Sequence, residues 1–234
     1  MEEERKRPGG QLARRPLNFI WLSDCSGSMS SDGKIQQLNT AIRNAIPDMR
    51  KVASENPQAE VLIQSVKFSN GATWHIANPT PVDNFEWKDL TAEGETAMGK
   101  ALKLVADEMI KLEKSKTRGF PPVLVLVSDG QPTDNFEEGL KALLNTPWGT
   151  KAVRMAIAIG GDADLNVLRN FINNPEIEPL KANNADALHK YIKFVSTEVL
   201  KAASTPPSQP KKGTSTGNVP IPTNTPKVST DDVW

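Results

Sequence analysis

The chain has a single cysteine, Cys25, in 234 residues. One thiol excludes an intramolecular disulfide and tilts the expectation toward a reducing compartment. Histidine is nearly as scarce. His75 and His189 lie far apart in unrelated contexts, and they support no Ser/His/Asp constellation. Ser26-Gly27-Ser28 lacks the G-x-S-x-G form of a nucleophile elbow. Net charge is absent too, with 28 Lys and Arg against 28 Asp and Glu. No basic footprint for nucleic acid follows. The first ten residues, Met1 to Gly10, contain no apolar run of the signal-peptide kind. No later run reaches membrane-spanning length. These absences together lead to the expectation of a cytoplasmic protein with neither nucleic acid nor membrane as partner.

What remains suits one domain with tails. Residues 1–15 are charged and contain glycine and proline, so a flexible arm is expected there. Residues 204–234 mix six prolines with Ser, Thr, Lys and Gly, a composition that builds no packed core. Between them, over 16–203, strand and helix patterns alternate. Continuous apolar runs at 17–23 and 122–128 read as strands buried on both faces. Further strands are expected at 60–68 and 151–159. Helical spacing marks about 33–54, 97–113, 165–172 and 186–203. Pro47 is expected to kink or split the first of these helices. Asn70-Gly71 is a hairpin signal, and it predicts a short antiparallel edge strand over 73–76. Asp134, with Glu137 three residues on, has the spacing of a capping box for the next helix. The alternation predicts an α/β fold, doubly wound around a mostly parallel sheet.

One stretch organises the rest: Asp24-Cys25-Ser26-Gly27-Ser28-Met29-Ser30. It stands where the first buried strand ends and the first helix begins, the corner at which open α/β sheets bind ligands. It is dense in small oxygen-bearing side chains, the donors that a hard cation such as Mg²⁺ takes. Single residues also have plainer readings. Ser26, Ser28 or Thr96 could cap a helix, and Asp129-Gly130 could be an ordinary turn.

Asp24, Ser26 and Ser28 stand in the D-x-S-x-S spacing that resembles the metal-ion-dependent adhesion site of von Willebrand factor A (VWA) domains. Thr96, in Gly94-Glu95-Thr96-Ala97-Met98, matches that family's later threonine. Asp129, after Val125-Leu126-Val127-Ser128, matches its later aspartate. The resemblance spans residues 16–203 and implies a doubly wound, Rossmann-like VWA fold. It also implies a metal site in which Ser26, Ser28 and Thr96 approach Mg²⁺, or Mn²⁺, while Asp24 and Asp129 orient and balance charge. An Asp or Glu from a protein partner would complete the coordination. The stretch Leu126 to Asp134 is similar to bacterial TerY-type proteins associated with tellurite resistance and stress. That likeness implies a scaffold working with a protein kinase and a PP2C-type phosphatase, without catalysis of its own.

Two rival functions stand against this reading. A metal-dependent phosphoryl-transfer or hydrolytic enzyme would need a general base near Asp24, and none is visible. A metal-free interaction domain would leave the five residues as caps and turns. Gly94 to Lys100 also matches the phosphate-loop pattern G-x-x-x-x-G-K. Ala101 stands where that loop needs a hydroxyl, and the preceding segment is no buried strand. The glycines are expected to serve the threonine loop and close helix packing instead. Cys25 has no basic neighbour to activate it and is expected to be a small buried filler.

Overall fold

The computed structural model describes residues 14–204 and 225–226. Most of the expected arm over 1–15 and most of the expected tail over 204–234 lie outside these residues. Arg15 opens the first strand, and Ser204 closes the last helix.

The run expected at 17–23 forms β1, Arg15–Asp24, which is buried from Leu17 onward. Side chains alternate across a strand, so a strand covered on both faces must be apolar at every position. Leu17, Phe19 and Trp21 accordingly belong to one apolar layer, and Ile20 and Leu22 to the other. The first layer is completed by α1, Lys34–Glu55, through Ile35, Leu38 and Ile42. The second is completed by α2, Met98–Lys114, through Met98, Leu102, Val105 and Met109. The remaining strands are β2 Ala59–Phe68, β3 Ala72–Pro81, β4 Val123–Ser128, β5 Val153–Ile159 and β6 Leu180–Ala182. They form a six-stranded sheet in the order β3-β2-β1-β4-β5-β6. Every neighbouring pair is parallel except β2 with β3. The expected α/β architecture is therefore present, with helices on both faces.

Several boundaries differ from the expectation. Pro47 neither splits nor ends α1. It sits on the exposed face, where solvent can meet a carbonyl that proline leaves without an N–H partner. The edge strand β3 is ten residues long, not four. Its register with β2 shifts around Ser65, and there the Gln64 amide donates to the Ala77 carbonyl at 2.8 Å and bridges the irregularity. Pro79 and Pro81 are tolerated because an edge strand leaves one side unpaired.

Asp134 does not cap α3, Phe136–Leu144. Asn135 does so, accepting from the Glu138 N–H at 3.1 Å. A short α4, Pro147–Lys151, precedes β5, and the three-residue β6 was not expected at all. α5 occupies Leu165–Ile172 as expected, capped by Asp164. The last helix begins as α6, Ala185–Phe194, passes through a π-helical turn over Val195–Val199, and ends as α7, Leu200–Ser204. No helix among the described residues is long and apolar enough to cross a membrane.

The strand order fixes where a ligand can enter. Succession runs outward from β1 in one direction and outward from β4 in the other. The loops leaving the carboxyl ends of these two central strands diverge, which opens a crevice between them.

Candidate metal centre

Asp24 is the last residue of β1 and is fully buried. One carboxylate oxygen accepts the Ser26 N–H at 2.8 Å, which folds the chain sharply after the strand. The other accepts the hydroxyl of Ser128, the last residue of β4. One side chain thus ties the ends of both central strands together. Burial holds its carboxyl above the ordinary carboxylate range. Hydrogen bonds from Ser128 and Ser26 pull it down, and the nearby charge of Asp129 adds to the rise.

From Asp24 the polar side chains form a chain across the crevice. Ser26 Oγ lies 3.0 Å from Ser28 Oγ. Ser28 Oγ donates to Asp129 Oδ1 at 2.7 Å. Lys34 Nζ donates to Asp129 Oδ2, also at 2.7 Å. Thr96 arrives from the loop between β3 and α2. That loop is sewn to the β1 loop by Gly27 N to Gly94 O at 2.8 Å and Glu93 N to Cys25 O at 2.7 Å. Thr133, beyond β4, holds Thr96 from the other side through the Thr96 N–H at 3.1 Å and the Thr96 carbonyl at 3.0 Å. A Cβ placed on Gly130 would lie 3.6 Å from Thr96 Oγ1 and 3.9 Å from Ser28 Oγ. Hydroxyls from two separate loops therefore open toward the same spot. All five expected residues, Asp24, Ser26, Ser28, Thr96 and Asp129, are brought to one place.

The cap readings of Ser26 and Thr96 do not hold. Ser26 occupies the N-cap position of the turn over 27–33, yet its side chain makes no capping bond there. Ala97, not Thr96, is the N-cap of α2, and it too has no side-chain cap. The Thr96 hydroxyl makes no hydrogen bond among the described residues, although the residue is only 6 % exposed. The oxygen itself still faces the crevice, so a partner can reach it there. A cation between Thr96, Ser28 and Ser26 would give it one. Three hydroxyls beside two carboxylates fit a hard, oxygen-seeking dication.

The phosphate-loop pattern is accounted for differently. Asp134 reaches from the β4–α3 connection to the first turn of α2. There it accepts from the Gly99 N–H at 2.7 Å and the Lys100 N–H at 2.8 Å. The amides that would cradle a phosphate already hold a carboxylate. A Cβ on Gly99 would run into the backbone of Asn135, so this glycine lets α2 and α3 touch. Gly94 has φ +77, and the side chain of Asn70 fills the space a Cβ would need.

Three participants were not anticipated: Ser128, Thr133 and Lys34. Ser128 ends an apolar strand and is hard to single out. Lys34 carried a usable signal, because it lies four residues before Leu38 and seven before Ala41 on the buried stripe of α1. A lysine on an apolar stripe needs a buried partner. Cys25 is 2 % exposed, and burial together with the Asp24 charge pushes its thiol up to about 12.

The fold and this crevice define a doubly wound domain with a hydroxyl-rich site at its switch point. A family model described as the von Willebrand factor type A domain matches residues 18–194, and the chain belongs to that family. Solved structures share the fold at low identity. The pilus adhesin SpaC from Lactobacillus rhamnosus GG is 14 % identical, with TM-score 0.65, over 82 % of this chain and 32 % of that one. Proximal thread matrix protein 1 from the mussel byssus, in a form with a zinc-occupied MIDAS motif, is 17 % identical. Its TM-score is 0.56, over 81 % of this chain and 47 % of that one. An ArnB paralog, VWA2, from Sulfolobus acidocaldarius is 19 % identical, with TM-score 0.55, over 77 % of this chain and 45 % of that one. The chain spans less than half the length of each of these proteins.

Proposed function

We propose that this chain is a metal-dependent protein-binding module. Ser26, Ser28 and Thr96 hold Mg²⁺, or Mn²⁺ in its place, and Asp24 and Asp129 orient the serines and balance the charge. The observation that carries the reading is the convergence of three hydroxyls, one of them unpartnered, beside two buried carboxylates. Few anionic ligands come from the chain itself, so a dication held there keeps an affinity for one more carboxylate, supplied by an Asp or Glu of a protein partner. Relatives of the fold that are adhesins or carry a metal-occupied site support a binding rather than a catalytic role.

The working unit in this reading is residues 16–203, flanked by an arm over 1–15 and a tail over 204–234. The finer assignment is a TerY-type scaffold in a cytoplasmic stress or tellurite-resistance system, with a protein kinase and a PP2C-type phosphatase as partners. It is supported by the stretch Leu126 to Asp134 and by the single cysteine. The test is Mg²⁺ and Mn²⁺ titration by calorimetry, followed by partner capture with and without chelator. Binding of either ion, lost in Ser26→Ala/Ser28→Ala, is the expected result. Equal affinity in that variant, or capture that is unchanged in excess EDTA, sinks the reading.

A further inference from the structure

Six ion pairs occur among the described residues, and one is unlike the rest. The Lys34 and Asp129 side chains are 8 % and 0 % exposed, whereas the other pairs each have at least one partner exposed by 59 % or more. Surface pairs contribute little, but a buried ammonium must be matched by a carboxylate or it strongly destabilises the fold. Lys34 heads α1 and passes beside Gly160 at the end of β5, where a Cβ would lie 3.6 Å from both Cε and Nζ. Its ammonium then lands on the carboxylate that also accepts from Ser28. A positive charge is thus built into the spot where the proposed function puts a dication.

We propose that Lys34 is a tethered counter-cation that sets the charge of the metal centre, weakening its hold on the dication and strengthening the loaded centre's hold on one partner carboxylate. The inference rests on the metal-centre reading above. Two ionised carboxylates against one ammonium leave a single net negative charge. Adding a dication makes the site singly positive, and one partner carboxylate brings it to neutrality. Without Lys34 the loaded site would already be neutral, and the incoming carboxylate would make it negative. Lys34 therefore shifts affinity from the ion to the anion. Asp32, Glu93, Glu95 and Asp162 are exposed on neighbouring loops. Water and salt screen them, so they change this local sum far less than a buried ammonium does.

The test uses the full chain with Mn²⁺ as the metal and acetate as the carboxylate. Free Mn²⁺ is followed by electron paramagnetic resonance. Acetate binding to the Mn²⁺-loaded protein is followed by water-proton relaxation. Lys34→Met removes the charge but keeps most of the stem. It is expected to bind Mn²⁺ about tenfold tighter and acetate severalfold weaker, while Lys34→Arg stays near wild type on both measures. A purely structural role, holding Asp129 in place, has the opposite sign and would weaken Mn²⁺ binding. Mn²⁺ affinity that is equal or lower in Lys34→Met, or unchanged acetate affinity, overturns the proposal. Should Lys34→Met fail to fold, Lys34→Gln keeps a donor for Asp129 without the charge and carries the same expectation. Wild-type protein that binds no Mn²⁺ would instead overturn the metal-centre reading itself.

Discussion

The two ends of the sheet solve the same problem in opposite ways. At the amino end of the central strands, Pro16, Leu112, Phe120, Pro122 and Trp148 close over a cavity of about 20 Å³, space for a single water. Asn18 Oδ1 is the buried acceptor there that has no protein partner. Beside the cavity, Arg15 lies over the Phe120 ring at 4.3 Å and donates to the Gly119 carbonyl at 2.8 Å. At the carboxyl end the same strands terminate in Asp24 and Ser128, and buried polar groups take the place of apolar ones. Packing closes one end, and hydrogen bonds hold the other open. Stability and binding should therefore separate along the strand axis.

The largest break of that separation comes from removing donors at the carboxyl end. Ser26→Ala/Ser28→Ala should lower Mg²⁺ affinity by roughly a hundredfold or more. The chemical denaturation midpoint of the free protein should stay close to wild type, because both residues lie outside the two apolar layers. Calorimetry and urea titration on one preparation check both halves.

Phe120→Ala is the reciprocal experiment. The ring is 2 % exposed, and its loss should cost about 3 kcal/mol of stability by urea titration. Mn²⁺ affinity below the transition should not change. A loss of metal binding in the folded fraction would show that the two ends are coupled.

Asp24→Asn sharpens the contrast at one residue. The carboxyl is raised from 3.8, so between that value and its higher native value the folded state keeps a proton that the unfolded chain has released. Stability contributed by this group is fully present below 3.8 and is lost as pH rises through the native value. Near neutral pH the variant should therefore melt higher than the free wild type, with a flatter dependence on pH. It should nonetheless bind less Mg²⁺. A lower melting point in Asp24→Asn would mean that the Ser128 and Ser26 hydrogen bonds outweigh the burial of the charge.

The smallest effect concerns Cys25, which lies inside the site loop. With its thiol pushed up to about 12 and its side chain buried, labelling by a thiol reagent at pH 8 should track unfolding. Rapid labelling of the native protein would show that the loop after β1 opens on its own.

Much of this was legible beforehand where burial wrote itself into composition. β1 and β4 are buried on both faces and so are apolar throughout. α5 is bounded by Asp164 at one end and by the left-handed Asn173 at the other. β6 escaped because three residues with an exposed lysine between buried neighbours carry no period, and only pairing with β5 makes them a strand. β3 was expected over 73–76 and runs on to Pro81, because an edge strand tolerates prolines on its unpaired side. Asp134 has the local spacing of a cap, but its carboxylate serves a helix 35 residues away in the sequence. Local pattern is blind to such a choice.

The residues of the candidate centre divide along the same line. Asp24, Ser26 and Ser28 could be singled out because they gather small oxygen-bearing side chains at short spacing in the turn after β1. Thr96 and Asp129, far along the chain, were picked out only by the resemblance to the VWA pattern. The partners of Lys34, Ser128 and Thr133 were decided by the tertiary structure alone. Each acts across 37 to 104 residues of chain, on Asp129, Asp24 and Thr96 respectively. Their roles exist only once the parallel sheet sets β1 beside β4 and brings the loop that carries Thr96 down between them. A charge or hydroxyl buried beside another is satisfied by distance in space, and no one-dimensional spacing encodes that distance.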